Sequence, residues 1–138
     1  MTLASRVPTT VLLVDDDLEY LELRAQFMKA FGFSVVTAPG PIEAISIVAK
    51  AIDPIKVAVV DYQMPVMNGC LLADRQKSMR PELKIILHSG AVTIPENQMT
   101  NIDVFISKSD ELARLINSVS EHTTTIGKQS GLSSQARY

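Results

Sequence analysis

The sequence predicts an α/β fold, a doubly wound sheet of five parallel strands. Five short apolar runs alternate with segments whose apolar residues recur at helical spacing. Parallel strands require crossover connections, and helices between successive strands provide them. Two of the runs, residues 11–14 and 57–60, are continuously apolar and β-branched or leucine-rich, as expected for central strands covered on both faces.

The first half of the chain contains two strand and helix pairs. Residues 11–14 predict the first strand, and the helix after it stops at Gly32, a residue suited to the position just past a helix end. Residues 34–37 predict a shorter and more polar strand. No reactive side chain follows that strand, which suits the edge of a sheet. Pro41 is well placed to begin the second helix.

The third strand gives the first candidate for chemistry. Residues 57–60 end abruptly in Asp61, and Pro65 and Gly69 then mark a turn before a third helix over residues 70–80. An acid at the carboxyl end of such a strand faces the crevice where open α/β sheets bind ligands. The alternative for Asp61 is a helix-capping or hydrogen-bonded loop acid.

The last two strands are predicted at residues 83–87 and 102–106. Between them, residues 92–100 are expected to form a short or irregular helix, because Pro95 and three polar residues interrupt it. The closing helix carries apolar residues on one face, and Ser109 is a candidate for its N-cap.

Composition indicates one domain and excludes several functions. We expect a lead-in over residues 1–9, a domain over 10–120 and a flexible polar tail over 121–138. The net charge of -2 and the scattered basic residues speak against nucleic-acid binding. Cys70 is the single cysteine, which excludes an internal disulfide, and no apolar run is long enough to span a membrane. These features predict a cytoplasmic protein.

Four of the five predicted strands end in groups that can handle a phosphate. Parallel strands place their carboxyl ends at one edge, so topology alone brings these groups together. Two carboxylates about 4 Å apart repel by roughly 4 kcal/mol at an effective dielectric near 20, so such a cluster favours a hard cation. We therefore expect Mg2+ or Mn2+ beside an anion site. The groups are Asp15 and Asp16, Asp61, Ser89, and Lys108.

Four motifs together resemble one family. The segments VLLVDDD, VVDYQMPVMNG, IILHSGA and VFISKS occur in the order and at nearly the spacing of the receiver domain of bacterial two-component response regulators. The resemblance covers residues 10–120. It implies the flavodoxin-like receiver fold, with strand order 2-1-3-4-5.

The resemblance also implies a function and a site. The domain would take a phosphoryl group from a sensor histidine kinase or a histidine phosphotransfer protein and then switch its contacts with an output protein. It would catalyse no more than its own phosphorylation and dephosphorylation, and homodimer formation stays open. The implied roles are phosphoacceptor for Asp61, phosphoryl contacts for Ser89 and Lys108, a switch through Ser89 and Phe105, and metal binding by Asp15, Asp16, Asp61 and the backbone carbonyl of Gln63.

Two departures and two alternatives accompany this resemblance. Ser109 replaces the proline that usually follows the family lysine, so a cis peptide is not expected there. The segment between Ser89 and Lys108 is also shorter than usual by about one helical turn. The alternatives are a haloacid-dehalogenase-type phosphohydrolase, which would use Asp15 and Asp17, and a pseudo-receiver that binds partners without taking phosphate.

Overall fold

The structure, a computed structural model, describes residues 9–52, 54–90 and 93–123. No helix in these ranges is long and apolar enough to cross a membrane. Strands and helices alternate along the chain until the last crossover. The strands are β1 (Thr10–Val14), β2 (Ser34–Ala38), β3 (Ile55–Val60), β4 (Lys84–Ser89) and β5 (Val104–Ser107), and the helices are α1 (Leu18–Ala30), α2 (Pro41–Lys50), α3 (Gly69–Met79) and α4 (Leu112–Thr123).

The five strands form one parallel sheet in the order β2-β1-β3-β4-β5. This confirms the predicted fold class, the strand order and the edge position of β2. The register pairs Val14 with Val60 and Val60 with Leu87. The carboxyl ends of β1, β3 and β4 therefore lie side by side.

Successive residues of the central strands alternate between two apolar layers. Leu12 and Val14 pack on the face covered by α2 and α3, whereas Val11 and Leu13 pack with α1 and α4. All four side chains are fully buried. This two-sided burial explains why β1 and β3 are continuously apolar rather than alternating.

Helix ends follow the predicted signals in two places and depart from them in one. Gly32 takes a φ of +96° two residues after the end of α1, and Pro41 is the first residue of α2, as predicted. The prediction that Ser109 caps α4 is wrong, because α4 begins three residues later, at Leu112. The Ser109 hydroxyl instead hydrogen-bonds the Ser107 hydroxyl at 2.8 Å, and together they form a turn after β5.

The predicted domain boundaries can be compared with the structure only in part, because both ends of the chain lie outside the described residues. Helix α4 continues to Thr123, past the expected boundary at residue 120. The rest of the predicted tail and nearly all of the predicted lead-in lie outside the described residues.

The crossover from β4 to β5 is short and irregular, as predicted. Within residues 93–103 its regular structure is one 3-10 turn, Glu96–Gln98, directly after Pro95. The Tyr62 hydroxyl donates to Gln98 Oε1 at 2.9 Å and links this turn to the loop after β3. No cis peptide bond occurs among the described residues, as expected without a proline after Lys108.

The loop from β3 to α3 is built by three residues with distinct tasks. The Asn68 side chain caps α3 by accepting hydrogen bonds from the next two free N–H groups, those of residues 70 and 71. Gly69 lies so close to Asp61 that a Cβ atom would collide with the Asp61 carbonyl oxygen. Val66 has a φ of +80°, a conformation that costs a β-branched residue free energy. The loop after Asp61 is therefore tightly constrained.

Candidate functional site

Three carboxylates meet at the carboxyl edge of the sheet. Asp15 and Asp16 follow β1 and Asp61 follows β3, and one oxygen of each lies within 4.8 Å of the others. Asp15 is completely buried and Asp61 is 7% exposed, whereas Asp16 is open to solvent. The sheet topology thus brings together the three acids that the sequence placed there.

Lys108 extends over this cluster from the end of β5. Its backbone N–H donates to the carbonyl oxygen of Ser89 at 2.9 Å, which fixes the start of the side chain beside β4. Its Nζ donates to Asp15 Oδ2 at 2.8 Å and lies 3.4 Å from Asp61 Oδ2. One ammonium group therefore contacts two of the three carboxylates.

The Asp61 carboxyl has a raised pKa, and burial is the main cause. Burial raises the pKa of the Asp61 carboxyl, and the charge of Asp15 raises it further, whereas Lys108 and the backbone N–H of Tyr62 lower it. Oδ1 of Asp61 accepts that N–H at 2.8 Å. Three close carboxylates that remain under-neutralised, with one open to solvent, fit a small divalent cation that prefers oxygen ligands.

Asp17, the third acid after β1, has a structural task. Its side chain accepts from the N–H of Tyr20 at 3.2 Å and caps α1, while its own N–H donates to Asp15 Oδ1 at 2.9 Å. The acidic group found among the described residues contains Asp16 and not Asp17. The phosphohydrolase alternative needs Asp17 in the site and gains no support from this geometry.

Arg24 and His88 are neighbours of the site that the sequence analysis did not place in it. Arg24 of α1 is 1% exposed, and its NH2 group donates to Asp15 Oδ2 at 2.9 Å. Its NH1 group lies 2.9 Å from Nδ1 of the buried His88, the residue before Ser89. The signal was present, because Arg24 interrupts the buried stripe of α1 formed by Leu21, Ala25 and Met28.

The protonation of this group follows from its burial. Burial lowers the pKa of His88 to about 3, and the positive charges of Arg24 and Lys108 act in the same direction. His88 is therefore neutral near pH 7, and Nδ1 accepts from Arg24. Burial also lowers the pKa of Arg24, while the charge of Asp15 opposes that shift. The guanidinium stays charged because an arginine does not lose its proton in proteins.

The remaining predicted residues lie at or near the same edge. Ser89 is buried at the end of β4 and pairs in register with Ser107, next to Lys108. Gln63 is exposed in the loop two residues after Asp61. Phe105 lies opposite Leu87 in the register of β4 and β5 and is 37% exposed.

The sequence matches a known family over most of its length. The family model of the response regulator receiver domain matches residues 11–120. Histidine kinase 3 of Arabidopsis thaliana is 33% identical over 87 residues, which are 63% of this chain and 8% of that protein. The matches cover from 8% to 25% of the length of the curated relatives.

Solved structures share the fold. The response regulator protein TrrA of Thermotoga maritima, in complex with Mg(2+)-BeF, superposes with a TM-score of 0.74 at 22% identity, over 82% of this chain and 97% of that one. A structure of the histidine kinase ThkA in complex with TrrA gives a TM-score of 0.75 at 21% identity, covering 84% of this chain and 99% of the matched one.

Proposed function

The chain belongs to the response regulator receiver domain family, and on that basis we propose that it accepts a phosphoryl group on Asp61 with the help of a bound Mg2+ ion. Receiver domains act in two-component systems, and this chain has a five-stranded parallel sheet in the strand order that the family implies. The observation that carries the proposal is the meeting of Asp61, Asp15, Asp16 and Lys108 at one edge of the sheet. Pseudo-receiver binding alone would not require this set of charges.

Asp61 is the acceptor because of its position. It lies at the centre of the carboxyl edge, on the strand between β1 and β4, and it keeps a small exposed surface where Asp15 has none. An oxygen of Asp61 attacks the phosphorus atom, and the bond between phosphorus and a donor imidazole nitrogen breaks. The acceptor loop is held by the Tyr62 N–H and by the close approach of Gly69, so the attacking carboxylate is positioned in advance.

Charge is the main obstacle to this transfer, because a phosphoryl group approaches a site that is already negative. Lys108 lies near enough to Asp61 to contact an incoming phosphoryl oxygen, and the hydroxyl of Ser89, at the end of β4, would donate to another. Asp15, Asp16, Asp61 and the carbonyl of Gln63 would hold the Mg2+ ion. The bound ion supplies positive charge to the phosphoryl oxygens.

The donor and the response follow from the same family. A histidine kinase or histidine phosphotransfer protein is the proposed donor, supported by the complex of ThkA with TrrA. With such a donor, the proposed location of this domain is the cytoplasm. Phosphorylation would draw Ser89 toward the phosphoryl group, and Phe105, half exposed on the edge strand β5, would change its exposure. Output proteins would recognise that altered surface.

Intact mass spectrometry after incubation with acetyl phosphate tests the proposal. We expect one phosphoryl adduct that requires Mg2+ and disappears in Asp61→Asn, while Asp17→Asn, which removes a neighbouring charge and keeps a capping side chain, retains it. An undiminished adduct in Asp61→Asn would place the acceptor elsewhere. Steady release of phosphate from varied monoesters would instead favour a hydrolase.

A further inference from the structure

We propose that Arg24 is a permanent positive charge of the receiver site that weakens the binding of the divalent metal. Its hydrogen bond takes up one lone pair of the Asp15 carboxylate, which is then not available to the metal ion. The inference rests on the proposed function, because it concerns the same three carboxylates. Arg24 is a positioning residue here, since it contacts Asp15 and not the acceptor Asp61.

The hydrogen bonds of Asp15 leave little room for a metal. Oδ2 accepts from Arg24 at 2.9 Å and from Lys108 at 2.8 Å, and Oδ1 accepts from the N–H of Asp17 at 2.9 Å. A carboxylate offers about four lone-pair directions. Three are in use, so metal binding by Asp15 must use the remaining direction on Oδ1 or displace a donor.

Of the two cations on Oδ2, Lys108 can move and Arg24 cannot. The Lys108 side chain is 22% exposed and flexible, so it can follow a metal ion or a phosphoryl group. Arg24 is held at three points, by Asp15, by His88 and by the ring of Tyr20, whose centre lies 4.5 Å from the guanidinium carbon. The charge of Arg24 therefore stays beside the cluster in every state of the site.

The charge balance shows the consequence for a metal ion. Asp15, Asp16 and Asp61 carry three negative charges, and Arg24 and Lys108 carry two positive ones, which leaves a net charge of about -1. Without Arg24 the same site would carry about -2. Because a dication is repelled by a fixed positive charge a few ångströms away, Arg24 lowers the affinity by about tenfold or more at an effective dielectric near 20.

The burial of Arg24 has a cost in stability, and its hydrogen bonds connect that cost to Asp15 and His88. Its Nε is buried and has no hydrogen-bond partner among the described residues, and such an unpaired donor costs stability. An apolar residue would fill the same stripe of α1 without that cost, but it would leave the buried Asp15 with Lys108 as its one cationic partner among the described residues. His88 provides a hydrogen-bond acceptor for Arg24 within the otherwise apolar surroundings of β4. The two residues together place one positive charge next to Asp15 and one acceptor that holds it there.

Isothermal titration calorimetry with Mg2+ alone separates the two roles. Arg24→Met removes the charge at similar volume, Arg24→Gln removes it and keeps an amide donor, and Arg24→Lys keeps the charge. We expect Arg24→Met and Arg24→Gln to bind Mg2+ at least about tenfold more tightly than wild type, and Arg24→Lys to stay within about threefold. Should Arg24→Met fail to fold, the comparison of Arg24→Gln with Arg24→Lys decides the question.

Two further variants make the outcomes distinct. Lys77→Met is the control, because it also removes one positive charge, from an ion pair with Asp103. Asp103 precedes β5 and therefore lies at the opposite end of that strand from Lys108, so Mg2+ affinity should not change. Wild-type or weaker Mg2+ affinity in folded Arg24→Met or Arg24→Gln would overturn the role of Arg24. Asp16→Asn tests the site itself, because Mg2+ binding that does not weaken in this variant would overturn the proposed metal site.

Discussion

Replacing Asp61 by asparagine should stabilise the metal-free protein at neutral pH. The nearest oxygens of Asp15 and Asp16 lie within 4.8 Å of Asp61, so each pair repels by about 3.5 kcal/mol at an effective dielectric near 20. The attraction between Lys108 Nζ and Asp61 Oδ2, which are 3.4 Å apart, offsets about 5 kcal/mol of this repulsion. The exposure of Asp16 reduces its share, so these charge interactions nearly cancel. Burial of the ionised Asp61 carboxylate then leaves about 1 to 2 kcal/mol of net destabilisation in the folded state.

The pH dependence gives this prediction its sign. Burial, followed by the charge of Asp15, raises the folded-state pKa of Asp61 above its ordinary value of 3.8. The folded protein thus binds this proton more tightly than the unfolded chain. The stabilising contribution is fully present below 3.8 and is lost as the pH rises through the folded-state pKa. The advantage of Asp61→Asn should therefore appear above that pKa and vanish in acid.

Urea denaturation in chelator, at several pH values, measures the effect. We expect Asp61→Asn to unfold with a free energy about 1 to 2 kcal/mol above wild type at pH 7. Asp17→Asn is the matched control, because this exposed acid caps α1 and asparagine caps equally well. Excess Mg2+ should stabilise wild type by about 2.7 kcal/mol at a hundred times its Kd, and Asp61→Asn by less. If Asp61→Asn is less stable than wild type in chelator while the control is unchanged, Lys108 already neutralises the cluster and the reasoning fails.

Substitutions at three other positions, Gly69, Gln76 and Val66, test the packing around the site, and Gly90→Ala is a control. Gly69→Ala should lower the free energy of unfolding by more than about 2 kcal/mol, because the new Cβ meets the Asp61 carbonyl oxygen. Gly90→Ala is the control, because a Cβ there meets nothing within 4 Å, and it should cost less than about 1 kcal/mol in the same urea titration. Gln76→Leu should raise the melting temperature and Gln76→Ala should lower it, since both amide atoms of this buried side chain lack partners among the described residues. Val66→Asn should stabilise the protein by about 0.5 to 1 kcal/mol, because asparagine tolerates a φ of +80° better than valine. An unchanged free energy of unfolding in urea would mean that Val66 is not strained in this loop.

The sheet and the acidic cluster could be predicted from the sequence because both depend on strand ends. Once parallel strands are identified, their carboxyl ends must share an edge, and Asp61 and Lys108 meet although they are 47 positions apart. Side-chain spacing in sequence plays no part in that result. The same reasoning placed β2 at the edge, since its end carries no reactive group.

Arg24 and His88 escaped prediction for a physical reason. Each is a polar residue on an otherwise apolar face, and neither one taken alone indicates which buried partner it meets. Their burial becomes understandable once they are known to meet, because the guanidinium then has an acceptor on one side and Asp15 on the other. Pairing across 64 positions leaves no local pattern in the sequence.

The crossover before β5 is a segment whose structure apolar periodicity predicts only in part. Its low apolar content and Pro95 predict little helix, and the structure has one 3-10 turn there. The segment is nevertheless held in place by side chains: Gln98 accepts from the Tyr62 hydroxyl at 2.9 Å, and Asn101 donates to Asp74 of α3 at 2.7 Å. Because Tyr62 directly follows Asp61, this hydrogen bond connects the loop after Asp61 to the crossover. The surface beside Asp61 is therefore built from hydrogen-bonded loop residues, an arrangement that no helical pattern encodes.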